Sequence, residues 1–186
     1  MSVLLHVCCG PCASSVVERL LEENHEVTLF YYNPNTFPYE EHDERLYNVE
    51  KLAKHFKVNV ISPIETEEDW NKEHKKWLET IEGLEQEPEG GKRCEVCYKF
   101  RLEATAKYAK ENGFDKFATT LGIGPMKPID KINNAGLELA KKYGIKFINE
   151  NFRKKDGHNR SIVLSRKIKL YRQTYCGCEF SMENQL

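Results

Sequence analysis

The sequence predicts an α/β protein, doubly wound on a mostly parallel five-stranded sheet. Two patterns predict it. Short runs rich in β-branched and aromatic residues alternate with longer stretches of helical apolar spacing, and turn residues punctuate the boundaries. With 186 residues and no linker-like stretch, the chain reads as one domain, 1–186, large enough to bury a single core.

The first strand is expected over 3–7, where Val3-Leu4-Leu5-His6-Val7 is almost wholly apolar, and the helix over 13–23 presents one apolar face. A strand at 26–32 and a helix at 39–56 follow. Next come a strand at 58–61, helices at 67–80 and 94–111, a strand at 115–119, a helix at 129–142 and a strand at 145–148. Asn24, Gly113 and Gly144 stand where three of these helices stop, as residues that adopt a left-handed closing conformation. The stretch 83–92, Gly-Leu-Glu-Gln-Glu-Pro-Glu-Gly-Gly-Lys, is acidic and glycine-rich and reads as a mobile loop suited to a lid.

The formal net charge of -1 conceals an asymmetry. Residues 1–150 carry 20 Lys/Arg against 26 Asp/Glu, whereas residues 151–186 carry 8 against 3. The last segment is therefore a basic C-terminal helical extension. Arg153, Lys154, Lys155, Arg160, Arg166, Lys167, Lys169 and Arg172 form a stripe that suits a phosphate backbone, or equally a solvated helix face. No apolar run reaches membrane-spanning length and no secretory signal opens the chain, so a cytoplasmic protein with no membrane partner is expected.

Five of the seven cysteines lie in two clusters, Cys8-Cys9-Gly10-Pro11-Cys12 and Cys94-Glu95-Val96-Cys97. In a reducing compartment, clustered thiols point to metal binding or redox catalysis. The first cluster sits between a strand and a helix, at the sheet edge where α/β sites assemble. Cys9-Gly10-Pro11-Cys12 alone matches a thioredoxin-like thiol-disulfide oxidoreductase, yet Cys8 is a surplus thiol and no Trp precedes the motif. Cys94-x-x-Cys97 has zinc-like spacing, and spacing alone leaves zinc and iron–sulfur open. Alternation along an extended backbone should turn Cys8 and Cys9 to opposite faces, so that they serve two metal centres. Cys176-Gly177-Cys178 is a candidate redox-active or disulfide pair.

Two turns at the same sheet edge, Asn33-Pro34-Asn35-Thr36-Phe37-Pro38 and Thr119-Thr120-Leu121-Gly122, suggest a pocket. Asn33, Asn35, Thr119 and Thr120 are its candidate substrate-binding residues, and Tyr98 is a candidate to stack on a flat ring. Arg153, Arg166, Lys167, Lys169 and Arg172 are the candidate contacts to phosphate. Asp130 is a candidate proton donor.

Taken in order, Leu5-His6-Val7-Cys8-Cys9-Gly10-Pro11-Cys12, Tyr32-Asn33-Pro34-Asn35, Arg93-Cys94-Glu95-Val96-Cys97-Tyr98 with Arg101-Leu102, Thr119-Thr120-Leu121, Leu170 to Cys178 and Phe180-Ser181 resemble the cobalamin-independent epoxyqueuosine reductase (QueH-type) family nearly end to end. The resemblance implies an adenine nucleotide alpha hydrolase-like (ATP pyrophosphatase) fold, with cysteines in place of the phosphate loop and hence no use of ATP. It further implies reduction of epoxyqueuosine to queuosine at the wobble position of tRNA with a GUN anticodon. The implied cofactors are a 4Fe-4S cluster and an additional mononuclear iron, held jointly by Cys8, Cys9, Cys12, Cys94 and Cys97. A ferredoxin or flavodoxin is the implied electron donor. Other readings are a thioredoxin-like oxidoreductase and a zinc- or ATP-dependent tRNA-modifying enzyme. Gly124 departs from the serine expected in the family.

Overall fold

A computed structural model describes residues 1–125 and 127–182. Five strands form one sheet: β1 (Ser2–His6), β2 (Glu26–Phe30), β3 (Asn59–Ile61), β4 (Lys116–Thr119) and β5 (Lys146–Phe147). Their order is β3-β2-β1-β4-β5 and every pairing is parallel. The expected doubly wound architecture is therefore borne out. β1, β2 and β5 stop one or two residues before the expected ends, whereas β3 and β4 end where expected; beyond β2, Tyr31 and Tyr32 stay buried, and the Tyr31 N–H donates to the Ile61 carbonyl at 2.9 Å.

Side chains of β1 alternate between two cores, as a pleated strand requires. Val3, Leu5 and Val7 enter one with Leu29 and Ala118, while Leu4 enters the other with Phe30 and Phe117. Helices α1 (Gly10–Glu22) and α2 (Tyr39–Phe56) supply residues to the first core, and α4 (Lys92–Glu111) and α5 (Ile129–Tyr143) to the second. Between these, α3 (Glu67–Thr80) opens with Thr66 accepting the Asp69 N–H at 3.1 Å, a side-chain cap that satisfies a first-turn donor. A 3-10 turn at Leu121–Ile123 follows β4.

Helix α6 (Gly157–Ile168) packs on α1 and contributes Leu164 to the core side of the molecule, with α7 (Glu179–Met182) closing the described chain. The basic segment thus contains an integral layer of the fold. The chain then returns through 169–178 across the C-terminal edge of the sheet. There the Gly177 carbonyl accepts from Phe37 N at 2.8 Å, and Arg45 donates to the carbonyls of Cys176 and Tyr175.

Two glycines hold close approaches beside the C-terminal edge of the sheet. A Cβ on Gly10 would lie 2.7 Å from the Asn48 carbonyl oxygen, so the close seating of the α1 N-terminus on α2 depends on hydrogen there. Gly177 has φ +126, and a Cβ on it would meet the Arg45 guanidinium at 2.6 Å.

Candidate metal centre

Chain direction splits between β1 and β4, since β2 and β3 lie to one side of β1 and β4 and β5 to the other. In open α/β sheets this switch point leaves a crevice beyond the strand ends. Cys8 and Cys9 follow β1 into it, and Thr119 and Thr120 follow β4. The two loops are joined there. The Cys8 N–H reaches Thr120 Oγ1 at 3.4 Å, and the Thr120 N–H reaches the His6 carbonyl at 3.0 Å.

Cys9 is the N-cap of α1, with its thiol accepting the Cys12 N–H at 3.4 Å, and Pro11 stands at the first helical positions where its missing N–H costs nothing. This local geometry overturns the expected opposite facing of Cys8 and Cys9. Cys8 sits in a bend and not in an extended strand, so the alternation rule does not apply. The sulfurs of Cys8 and Cys9 are 4.0 Å apart, and those of Cys8, Cys9 and Cys12 all lie within 4.8 Å of one another. Tetrahedral thiolates at ~2.3 Å from one metal are separated by roughly 3.8 Å, so the donor set fits a metal.

The three thiols are electrostatically unlike. Hydrogen bonds from Cys12 and Cys9 hold Cys8 well below the usual thiol range against its burial, with help from Arg101 and Thr120. Cys9 is pushed up to about 12, chiefly by burial, and Cys12 is raised by sharing its hydrogen bonds with Cys8 and Cys9. The Gln173 amide also donates to Cys9 Sγ at 2.9 Å. Cys8 is therefore the thiol that ionises first. Burial and Arg101 lower His6 to about 3, so its ring is neutral and serves to bond Thr119 Oγ1 at 3.0 Å.

Cys94 and Cys97 occupy the first turns of α4, three residues apart and hence on one face, and both are buried. Cys94 Sγ accepts the Gly90 N–H at 3.2 Å and shares the second core with Cys8. Cys97 packs with Trp77, Ile81 and Cys178. Arg101, one helical turn on, is 3 % exposed, donates to Cys97 Sγ at 3.9 Å and to Asn33 Oδ1 at 2.5 Å, and feels the charges of Cys97, Cys8 and Cys176. One buried guanidinium thus stands among thiols from three separate segments.

A cavity of about 280 Å³ opens at this point, lined by Cys8, Cys12, Tyr98, Arg101, Lys127 and Cys176 among others. Tyr98, placed among the binding residues by sequence, lines it directly. Thr120 touches Cys8, with the hydroxyl 3.7 Å from its sulfur, while Thr119 bonds His6 and the Leu121 N–H. Asn33 is fully buried and spans Val7 and Arg101. Asn35 is 2 % exposed, with its carbonyl oxygen unpartnered among the described residues. Asp130 lies exposed in the first turn of α5 and is not part of the cavity wall.

Arg153 donates to the carbonyls of Gly122, Gly124, Pro125 and Lys127, which ties down the loop after β4. Arg166, Lys167, Lys169 and Arg172 are exposed. Cys176 and Cys178 are separate thiols: Lys127 Nζ reaches Cys176 Sγ at 2.8 Å, whereas Cys178 packs against Trp77. The expected lid at 83–92 is held in place. Arg93 donates to the carbonyls of Glu85 and Glu87, the Glu87 carboxylate caps the Lys92 N–H, and Glu89 pairs with Lys127.

Arg101, Lys127 and Gln173 are site residues absent from the sequence-predicted site set, although Arg101 and Gln173 stand within motifs that carry the family resemblance. Arg101 carried a signal, since it lies four residues after Cys97 on the same helix. Gln173 carried only its place in the Leu170–Cys178 run and Lys127 carried none, because each reaches the site only through tertiary folding.

A crevice lined with thiols at the switch point of a doubly wound parallel sheet defines an α/β protein with a cysteine-built centre. The U34-tRNA thiolase NcsA from Methanococcus maripaludis, solved with its [4Fe-4S] cluster, has this fold at a TM-score of 0.54 and 15 % identity, over 97 % of this chain and 61 % of that one. The chain belongs to the epoxyqueuosine reductase QueH family, whose model matches residues 3–184. Among its relatives, epoxyqueuosine reductase QueH of Streptococcus pyogenes serotype M1 is 36 % identical over 99 % of this chain and 71 % of its own length. The Thermotoga maritima protein of the same name is 38 % identical over 97 % and 90 %.

Proposed function

We propose that this protein reduces the epoxide of epoxyqueuosine to the alkene of queuosine in the wobble nucleotide of tRNA with a GUN anticodon. The observation that carries the reading is the Cys8, Cys9 and Cys12 sulfur triad at the switch point, in a chain that the family model matches nearly end to end. Cys8, Cys9 and Cys12, together with Cys94 and Cys97, would hold a 4Fe-4S cluster and a mononuclear iron. When bound, these supply low-potential electrons one at a time.

The chain's own residues do the rest. Thr120 and Gln173 fix the directions of the Cys8 and Cys9 sulfurs. Arg101 offsets the negative charge that ionised thiols bring into a buried site, where an unbalanced charge is costly. Leu121, Tyr98 and the returning tail wall the cavity on its sides, which limits water at the reacting carbon atoms. An unstacked loop base can enter such a pocket, as RNA-modifying enzymes require. A ferredoxin- or flavodoxin-class protein in the cytoplasm supplies the electrons, and among the described residues no helix is long and apolar enough to cross a membrane.

The direct test is anaerobic incubation of the iron-loaded protein with epoxyqueuosine-containing tRNA and a low-potential reductant. Nucleoside analysis should show loss of 16 mass units as queuosine forms, and full iron loading with no conversion would end the reading.

Arg166, Lys167, Lys169 and Arg172 are assigned to the tRNA backbone. Each lost phosphate contact lowers the slope of log affinity against log salt by about 0.7 to 0.9. The triple variant R166A/K167A/K169A is therefore expected to bind tRNA more weakly, with a salt slope shallower by about 2. Unchanged slope and affinity in a filter-binding titration would return these residues to a solvated face.

A further inference from the structure

The cavity wall contains two polar groups with hydrogen-bonding capacity left unused among the described residues. Tyr98 is 2 % exposed, and its buried hydroxyl has no hydrogen-bond partner among the described residues. A buried hydroxyl left unpaired is costly, so a site that keeps one is arranged for a partner that arrives later. Lys127 extends its ammonium into the same cavity, with its side chain 19 % exposed. That ammonium has three N–H donors. Two are engaged, by Cys176 Sγ at 2.8 Å and by the Glu89 carboxylate at 3.0 Å, which leaves one for a further acceptor among the described residues.

We propose that Lys127 is the proton donor to the epoxide oxygen, and that the Tyr98 hydroxyl holds that oxygen by a hydrogen bond. The proposal rests on the reductase reading above and deepens it. Breaking both C–O bonds leaves their electron pairs on oxygen, two electrons from the one-electron donor protein complete the C=C bond, and oxygen departs with two protons as water. An oxygen losing carbon becomes a stronger base than an amine, so an ammonium can protonate it.

Among the other wall groups, Arg101 cannot release a proton. Cys8 and Cys12 are engaged as metal donors, and Glu89 is held as an acceptor by Lys127. The remaining thiol, Cys176, faces Lys127 itself. Lys127 gives the first proton, recovers another from solvent on its exposed side, and gives the second. Burial opposes the charged form of the ammonium, but Cys176 and Glu89 outweigh it and keep it charged.

General acids contribute on the order of 10²- to 10⁴-fold. In the iron-loaded protein, K127A is expected to slow single-turnover reduction by about 10²-fold or more, with iron content and tRNA affinity unchanged. Methylammonium added to K127A should restore turnover in proportion to its concentration, as a merely structural loss would not allow. The companion variant Y98F should reduce the rate by about tenfold, the worth of one hydrogen bond. The proposal is overturned if K127A reacts within threefold of wild type, if it is slow but not rescued by the amine, or if it loses its iron. Wild-type protein, assayed first, separates the two readings: its failure to convert substrate removes the reductase assignment itself, whereas failure of the K127A arm alone removes only the role of Lys127.

Discussion

Serine in place of Cys8 is expected to abolish epoxyqueuosine reduction and to deplete the protein of iron. Cys8 has the lowest thiol pKa of the triad, lies 4.0 Å from Cys9 and is the sulfur that Thr120 and Arg101 both influence. A hydroxyl does not ionise in this range and is a poor donor to soft metals. Serine at Cys94 or Cys97 should have the same result, because both are buried on α4, where an uncoordinated hydroxyl would find little water. Iron and sulfide analysis with electron paramagnetic resonance of anaerobically prepared protein reads the outcome. Any of these variants with wild-type iron content and turnover would remove that cysteine from the ligand set.

Replacing Arg101 by leucine should be nearly as severe, although Arg101 is not itself a donor to metal. The variant loses the hydrogen bond from a charged donor to Asn33, worth about 1.5 to 3 kcal/mol, and the long contact to Cys97 Sγ. For a domain of this size the melting temperature of the metal-free protein should fall by roughly 5 to 10 °C. Iron retention should fall further, since the thiolates required by the metal lose their neighbouring positive charge. R101K, which keeps charge but not the fork, should retain more iron than R101L. Equal iron content in all three proteins would show that the guanidinium is a packing residue only.

Much of this framework is readable in the sequence because it depends on local periodicity. Val3 to Val7 marks a strand buried on both faces, and the apolar spacing of 13–23 and 94–111 marks α1 and α4, whose first turns begin slightly earlier, at Gly10 and Lys92. The thiol positions follow at once from those boundaries. What stays hidden is whatever depends on bends or on distant segments. The closeness of Cys8 to Cys9 comes from a bend of one residue, which no alternation rule encodes. The lid expected at 83–92 is glycine-rich in composition, yet Arg93 gathers its carbonyls from outside the stretch. Lys127 meets Cys176 across 49 residues, and no local pattern links them.

The returning tail has a consequence for how the protein is made. The Cys8–Cys12 turn leaves the ribosome well before its partners do: Thr120 is 112 positions after Cys8, and Gln173, which fixes Cys9, is 164 positions from it. Closing such long loops adds entropy cost only slowly with length, yet non-local pairing delays folding. During synthesis the three thiols therefore wait, unflanked by α4 and uncovered by the tail, while the partners that shelter them are still being translated. Assembly of the centre is in this sense a late event in the life of the chain, and the surrounding cell must keep those early sulfurs reduced until the returning 169–178 segment folds over them.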